Sequence, residues 1–177
     1  LNLVTGRFGA EGGWIFGKAA FADSPLPPGM EYGARSSRIG KMPSILGMSP
    51  GGEMADDILT PGDGQLRALI VDSGNPVLSH PGSSKTSGAL QSLELMVSLD
   101  LYVTETSRHA HYILPTSTFL ERDDINIGWI ATAPRPWLQY TAAVIAPLGE
   151  SRHEYDIYGE ILKRAGHPAT FAAPGSN

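Results

Sequence analysis

The residues with the types and spacing for chemistry sit where apolar runs stop. The run Ala68-Leu69-Ile70-Val71 ends in Asp72-Ser73-Gly74-Asn75-Pro76. Gly, Asn and Pro are turn formers, so two readings stand: a plain turn, or a turn whose backbone at Gly74 and whose Asn75 amide approach a ligand. A second run, Leu95 to Leu99, ends at Asp100. A carboxylate there can cap the following turn. It can equally accept hydrogen bonds from a guanine ring N–H and exocyclic amine, or from ribose hydroxyls. Two strand ends that each offer a polar group suit a nucleotide crevice, because ligands of open α/β sheets bind beyond the carboxyl ends of the strands.

Other constellations are weaker. Gly6, Gly9, Gly12 and Gly13 in "TGRFGAEGG" lack the G-x-G-x-x-G spacing, and no Gly-Lys followed by Ser or Thr comes after them. His109 and His111 would share one side of an extended segment, as metal ligands can, but no third ligand accompanies them and a polar surface is the simpler reading. Glu121, Arg122, Asp123 and Asp124 offer paired carboxylates for acid/base work or ordinary solvated loop charge, and Arg122 can contact a phosphate if it lies near the crevice. No G-x-S-x-G elbow is present.

The elements that must position these groups are a strand over Leu66 to Val71, with a short helix after its turn, a helix over Ser83 to Leu93 capped by Ser84, and a strand over Leu95 to Leu99. A short helix or turn over Thr104 to Ala110 follows, then a third strand, Tyr112 to Leu114, stopped by Pro115. Residues 116–127 read as a polar loop and Gln139 to Ile145 as another strand. His153 to Ala165 form an amphipathic helix with Tyr155, Ile157, Tyr158, Ile161 and Leu162 on its apolar side, closed by Gly166 and Pro168. Strands alternating with helices at this spacing predict an α/β fold: a Rossmann-like parallel sheet flanked by helices. Thirteen of the 21 glycines, with six of the 14 prolines, lie before residue 65, so the N-terminal third is loop-rich, with at most a short helical turn before Pro61. The expected organisation is a leading segment over residues 1–64, a Rossmann-like core over 65–166 and a tail over 167–177.

Composition narrows the function. A formal charge of -5 offers no basic patch for a nucleic acid. No apolar run reaches membrane-spanning length, and the N-terminus lacks the pattern of a signal peptide. The absence of cysteine excludes disulfides, thiolate metal sites and iron–sulfur ligation by this chain. The opening Leu1-Asn2-Leu3-Val4, without Met, reads as cut from something longer.

With these residues in view, the sequence resembles the molybdopterin oxidoreductase family, the bis-molybdopterin-guanine-dinucleotide enzymes that include formate dehydrogenases and periplasmic nitrate reductases. The resemblance spans nearly the whole chain: "LNLVTGRFGAEGG", "DDILTPGDGQLRALIVDSGNPVLSHP", "LELMVSLDLYVTETSRHAHYILPTSTFLERDD" and "APLGESRHEYDIYGEILKRAG". Its specific marks are G-N-P after an apolar strand, then D-x-x-x-T-E-T, then I-L-P-T-x-T-x-L-E, in that order. The resemblance implies that Gly74, Asn75 and Asp100 hold one guanine dinucleotide arm of the cofactor, with Asp100 reading the guanine edge. Thr104, Arg122 and Glu154 transfer to the same site less directly. It implies a molybdenum or tungsten cofactor, an iron–sulfur cluster and a metal ligand upstream of Leu1, and a cage-completing domain beyond Asn177. Partners would be the remaining domains, electron-transfer subunits and a small-molecule substrate. This chain alone would then hold part of a cofactor site and no catalytic residue. Two departures mark it. His111 stands where the family usually has aspartate, which puts a local hydrogen bond in question, and residues 126–139 differ from the family's usual glycine-arginine-glutamine pattern. The other readings are an electron-transfer scaffold related to the large peripheral subunit of respiratory NADH dehydrogenase, and a free-standing guanine-nucleotide-binding module.

Overall fold

Three apolar runs become three parallel strands: β1 (Ala68–Asp72), β2 (Leu95–Asp100) and β3 (Tyr112–Pro115), in the order β1-β2-β3. The computed structural model describes residues 1–14, 28–125 and 137–167. Ala68 pairs with Leu95 through to Asp72 with Leu99, and Val97 pairs with Tyr112 through to Asp100 with Pro115. Asp72 and Asp100 therefore finish at the same carboxyl edge. Pro115 lies within β3 rather than after it, which an edge strand tolerates because its missing N–H breaks no central ladder.

Side chains alternate across the sheet. Leu69, Val71 and Met96 face the helices α1 (Met54–Leu59), α2 (Pro76–Ser79) and α3 (Ser83–Gln91), and the core joins Ala55, Ile58, Val71, Val77, Ala89, Leu90, Leu93 and Met96. The α/β class with a parallel sheet and flanking helices matches the sequence reading, and α1 is the short helical turn expected before Pro61. The cap of α3 differs. Gly82, not Ser84, is the N-cap, at φ 77, and its carbonyl accepts the Thr86 N–H at 2.9 Å. Ser84 falls inside the first turn, because only glycine takes the left-handed entry at Gly82 without strain.

The last helix, α4 (Glu154–Arg164), starts from His153, whose Nδ1 accepts the Tyr155 backbone N–H. Its apolar side is narrower than expected: Ile157 is buried, while Tyr155 and Ile161 are exposed. Gly166, at φ 79, ends it, and Pro168 lies outside the described residues. Residues 28–53 are mainly turns, tied to α1 by Arg38, whose guanidinium donates to the carbonyls of Asp57 and Thr60.

The chain divides into two compact units, one of residues 26–118 and 147–177, the other of 1–25 and 119–146. The second unit carries a short antiparallel pair, β4 (Asp124–Ile125) and β5 (Tyr140–Thr141). The strand expected over Gln139 to Ile145 shrinks to β5, and β4 interrupts the expected polar loop. The sequence departure at 126–139 falls largely outside the described residues.

Candidate functional site at the carboxyl edge of the sheet

The chain leaves β1 through a strained turn. Ser73 takes a left-handed conformation at φ 50. Its N–H donates to the Leu99 carbonyl at 2.9 Å, which fixes the end of β1 against the end of β2. Gly74 follows with room to spare: a Cβ there would meet only Val71 Cγ1 at 3.5 Å and two further atoms at ordinary contact distance.

Asn75 does more than turn the chain. Its Oδ1 accepts the Thr106 hydroxyl at 2.6 Å, and its Nδ2 donates to Glu105 Oε2 at 2.8 Å. The Thr106 oxygen in turn accepts the Val77 backbone N–H at 3.0 Å. Both ends of the amide thus engage the loop after β2. The Asn75 amide, followed by a hydrogen bond from the Glu105 backbone, holds the Glu105 carboxyl below its ordinary range.

Asp100 closes β2, half-buried. Its Oδ1 accepts the N–H groups of Leu101 at 2.7 Å and Tyr102 at 3.4 Å, so the carboxylate does organise the turn. Its Oδ2 has no partner among the described residues and remains an open acceptor. Thr104 stands in the same loop, with its hydroxyl accepting the Ser107 N–H at 3.1 Å and its own N–H donating to Ser107 Oγ at 2.6 Å. Thr104 is therefore a loop fastener.

Glu154 opens α4, with its carboxylate 3.7 Å from His153 Nδ1. One turn on, Tyr158 donates its hydroxyl to Asp72 Oδ2 at 3.0 Å, tying α4 to the end of β1. Burial, then the hydrogen bond and charge of Asp72 and the charge of Glu154, push the Tyr158 phenol up to about 12. It stays a donor across the physiological range. Alternation along the strands places Asp72 and Asp100 on opposite faces, since Asp72 pairs with Leu99 rather than with Asp100.

The structure therefore gathers Gly74, Asn75, Asp100 and Thr104 around one pair of strand ends. Arg122 lies half-buried in the other compact unit. Sequence reasoning missed Glu105, Thr106 and Tyr158 as members of this edge. The only local signal was the run Thr104-Glu105-Thr106, which has the composition of a loop fastened by its own hydroxyls. Both histidines have protein partners: His109 Nε2 lies 2.9 Å from Ser87 Oγ, and the exposed His111 accepts the Met96 N–H at Nδ1. Among the described residues no group of three His, Asp or Glu could hold a metal ion, and no helix is long and apolar enough to cross a membrane.

A family model for molybdopterin oxidoreductases matches residues 1–164. Dimethyl sulfoxide/trimethylamine N-oxide reductase of Cereibacter sphaeroides is 27% identical over 97% of this chain and 22% of its own length. The thiosulfate reductase molybdopterin-containing subunit PhsA of Salmonella typhimurium is 31% identical over 63% of this chain and 14% of its own. The chain thus spans less than a quarter of either relative. Acetylene hydratase from Pelobacter acetylenicus shares the fold, with a TM-score of 0.62 at 23% identity over 69% of this chain and 16% of that one.

Proposed function

From the premise that this chain belongs to the molybdopterin oxidoreductase family, we propose that it is the part of a molybdenum- or tungsten-dependent oxidoreductase that holds a guanine dinucleotide arm of the pterin cofactor. The observation that carries this reading is Asp100: a strand-end carboxylate with one oxygen fixed by two backbone N–H groups and the other open.

The residues present fit that group at its guanine end. Asp100 closes β2 at the carboxyl edge and is an acceptor when ionised, while Asp72 and Glu105, both bonded to protein groups, only add negative charge to that edge. Such an edge suits the N–H groups of guanine and the hydroxyls of ribose. It does not suit phosphate, so the pyrophosphate would have to be met elsewhere. Asp100 would take the guanine edge, with Gly74 leaving space for the approach. Glu154 stands at the start of α4, in the same compact unit as Asp100. The binding core is residues 65–166, with 1–64 as its leading segment and 167–177 as a tail. The metal–pterin supplies two-electron redox chemistry when bound, while this chain binds and orients. The metal ligand, the iron–sulfur cluster and the contacts to electron-transfer subunits and substrate belong to other parts of the whole enzyme.

The test is Asp100→Asn in the purified enzyme. Asparagine keeps an oxygen for the Leu101 N–H and presents a donor where the second oxygen was. GMP released by acid hydrolysis should fall about tenfold or more per mole of protein, since a hydrogen bond to a charged group is worth about 1.5–3 kcal/mol. Thermal unfolding should change little. Full GMP content in the variant would refute the reading.

A further inference from the structure

Asn75 sits where a ligand contact is expected, yet both ends of its amide are occupied by protein. Thr106, which binds its Oδ1, is fully buried and cannot touch a ligand. From Ser107, the next residue in the chain after Thr106, hydrogen bonds run back to Asp100. Ser107, also fully buried, exchanges bonds with Thr104 and donates from Oγ to the Tyr102 carbonyl at 3.5 Å, and the Tyr102 and Leu101 N–H groups hold Asp100 Oδ1. On the other side, Thr106 Oγ1 takes the Val77 N–H at the start of α2, and Ser73 N–H holds Leu99. The turn after β1 and the loop after β2 are thus one fastened piece.

We propose that Asn75 and Thr106 are positioning residues. Their bond fixes the loop that aims the free oxygen of Asp100, and Asn75 acts through Thr106 rather than by touching the ligand. Glu105 orients the amide from outside, so that Oδ1 and not Nδ2 faces Thr106. A hydroxyl donor at 106 is what the arrangement requires, and this gives serine there a different outcome from valine. The proposal rests on the reading of Asp100 as the guanine acceptor.

The test compares GMP with IMP, which lacks the exocyclic amine, by equilibrium binding to the cofactor-free enzyme. The ratio of the two affinities reads the aim of Asp100, and a general loss of stability does not change it. Asn75→Ala and Thr106→Val should each reduce the GMP preference by a similar factor, about tenfold. The double variant should be no worse than either single one, because the two residues act as one unit. Thr106→Ser should keep the wild-type ratio. If Thr106→Val keeps the wild-type ratio while Asn75→Ala weakens GMP and IMP alike, Asn75 touches the ligand directly and the proposal fails. If Thr106→Val does not fold, Glu105→Ala decides from the exposed end of the network: a reduced ratio supports the clamp and an unchanged ratio overturns it. Asp100→Asn separates the two levels. A ratio unchanged by Asp100→Asn refutes the guanine reading itself, whereas a ratio lost there but kept in the Asn75 and Thr106 variants refutes only the clamp.

Discussion

His111 and Met96 bind each other twice: the His111 N–H donates to the Met96 carbonyl at 2.8 Å, and the Met96 N–H donates to His111 Nδ1 at 2.9 Å. A histidine at this position therefore makes a local hydrogen bond of its own, with an imidazole nitrogen as acceptor. Met96 is fully buried in the core, so the pair secures the start of β2.

Replacing His111 by Leu should leave the Met96 N–H without its side-chain acceptor and cost about 1–3 kcal/mol. His111→Asp, which keeps an acceptor, should cost less. Urea unfolding of the two variants measures the difference, and equal losses would show that ring packing, not the bond, matters.

Tyr158→Phe removes the bond from α4 to Asp72, with an expected loss of about 0.5–1.5 kcal/mol. The pH dependence follows from the raised phenol, about 12 against an ordinary 10.0. Between these values the unfolded chain has released the proton and the folded chain has not. Stability from this group is therefore complete below pH 10 and declines as pH rises towards 12. A tyrosinate absorbance titration should show a phenol titrating at about 12 that Tyr158→Phe abolishes, while Tyr140, raised by its hydrogen bond to Asp123, is unaffected.

His109 runs the opposite way in pH. Burial and then the Arg108 charge lower it from 6.5, so the folded chain resists protonation that the unfolded chain accepts. Stability from this group is complete above that value and falls as pH drops below it. Denaturation midpoints across mildly acid pH should flatten in His109→Gln. An unchanged slope would assign the acid sensitivity to other groups.

Gly74→Ala tests whether a ligand, rather than the fold, requires glycine. The added methyl meets only ordinary contacts, the nearest at 3.5 Å, so the unfolding midpoint should stay within about 0.5 kcal/mol of wild type. GMP content should nevertheless fall if the dinucleotide approaches the backbone there. A large loss of stability would instead place the demand for glycine within the protein.

Residue order alone settles only what is written locally. Parallel strands packed by helices read as continuous apolar runs, so β1 and β2 were legible to within about two residues. Asp100 was legible as a strand end for the same reason, and α4 by its periodicity. The entry to α3 was not, because Ser84 has a cap's chemistry and Gly82 wins on backbone conformation. The role of Asn75 follows from long-range packing. Its partners Glu105 and Thr106 are 30 and 31 residues away, and Tyr158 reaches Asp72 across 86. No propensity or periodicity encodes such pairs. They arise because parallel pairing brings successive carboxyl ends to one edge, where a turn residue becomes the neighbour of a loop from the next strand.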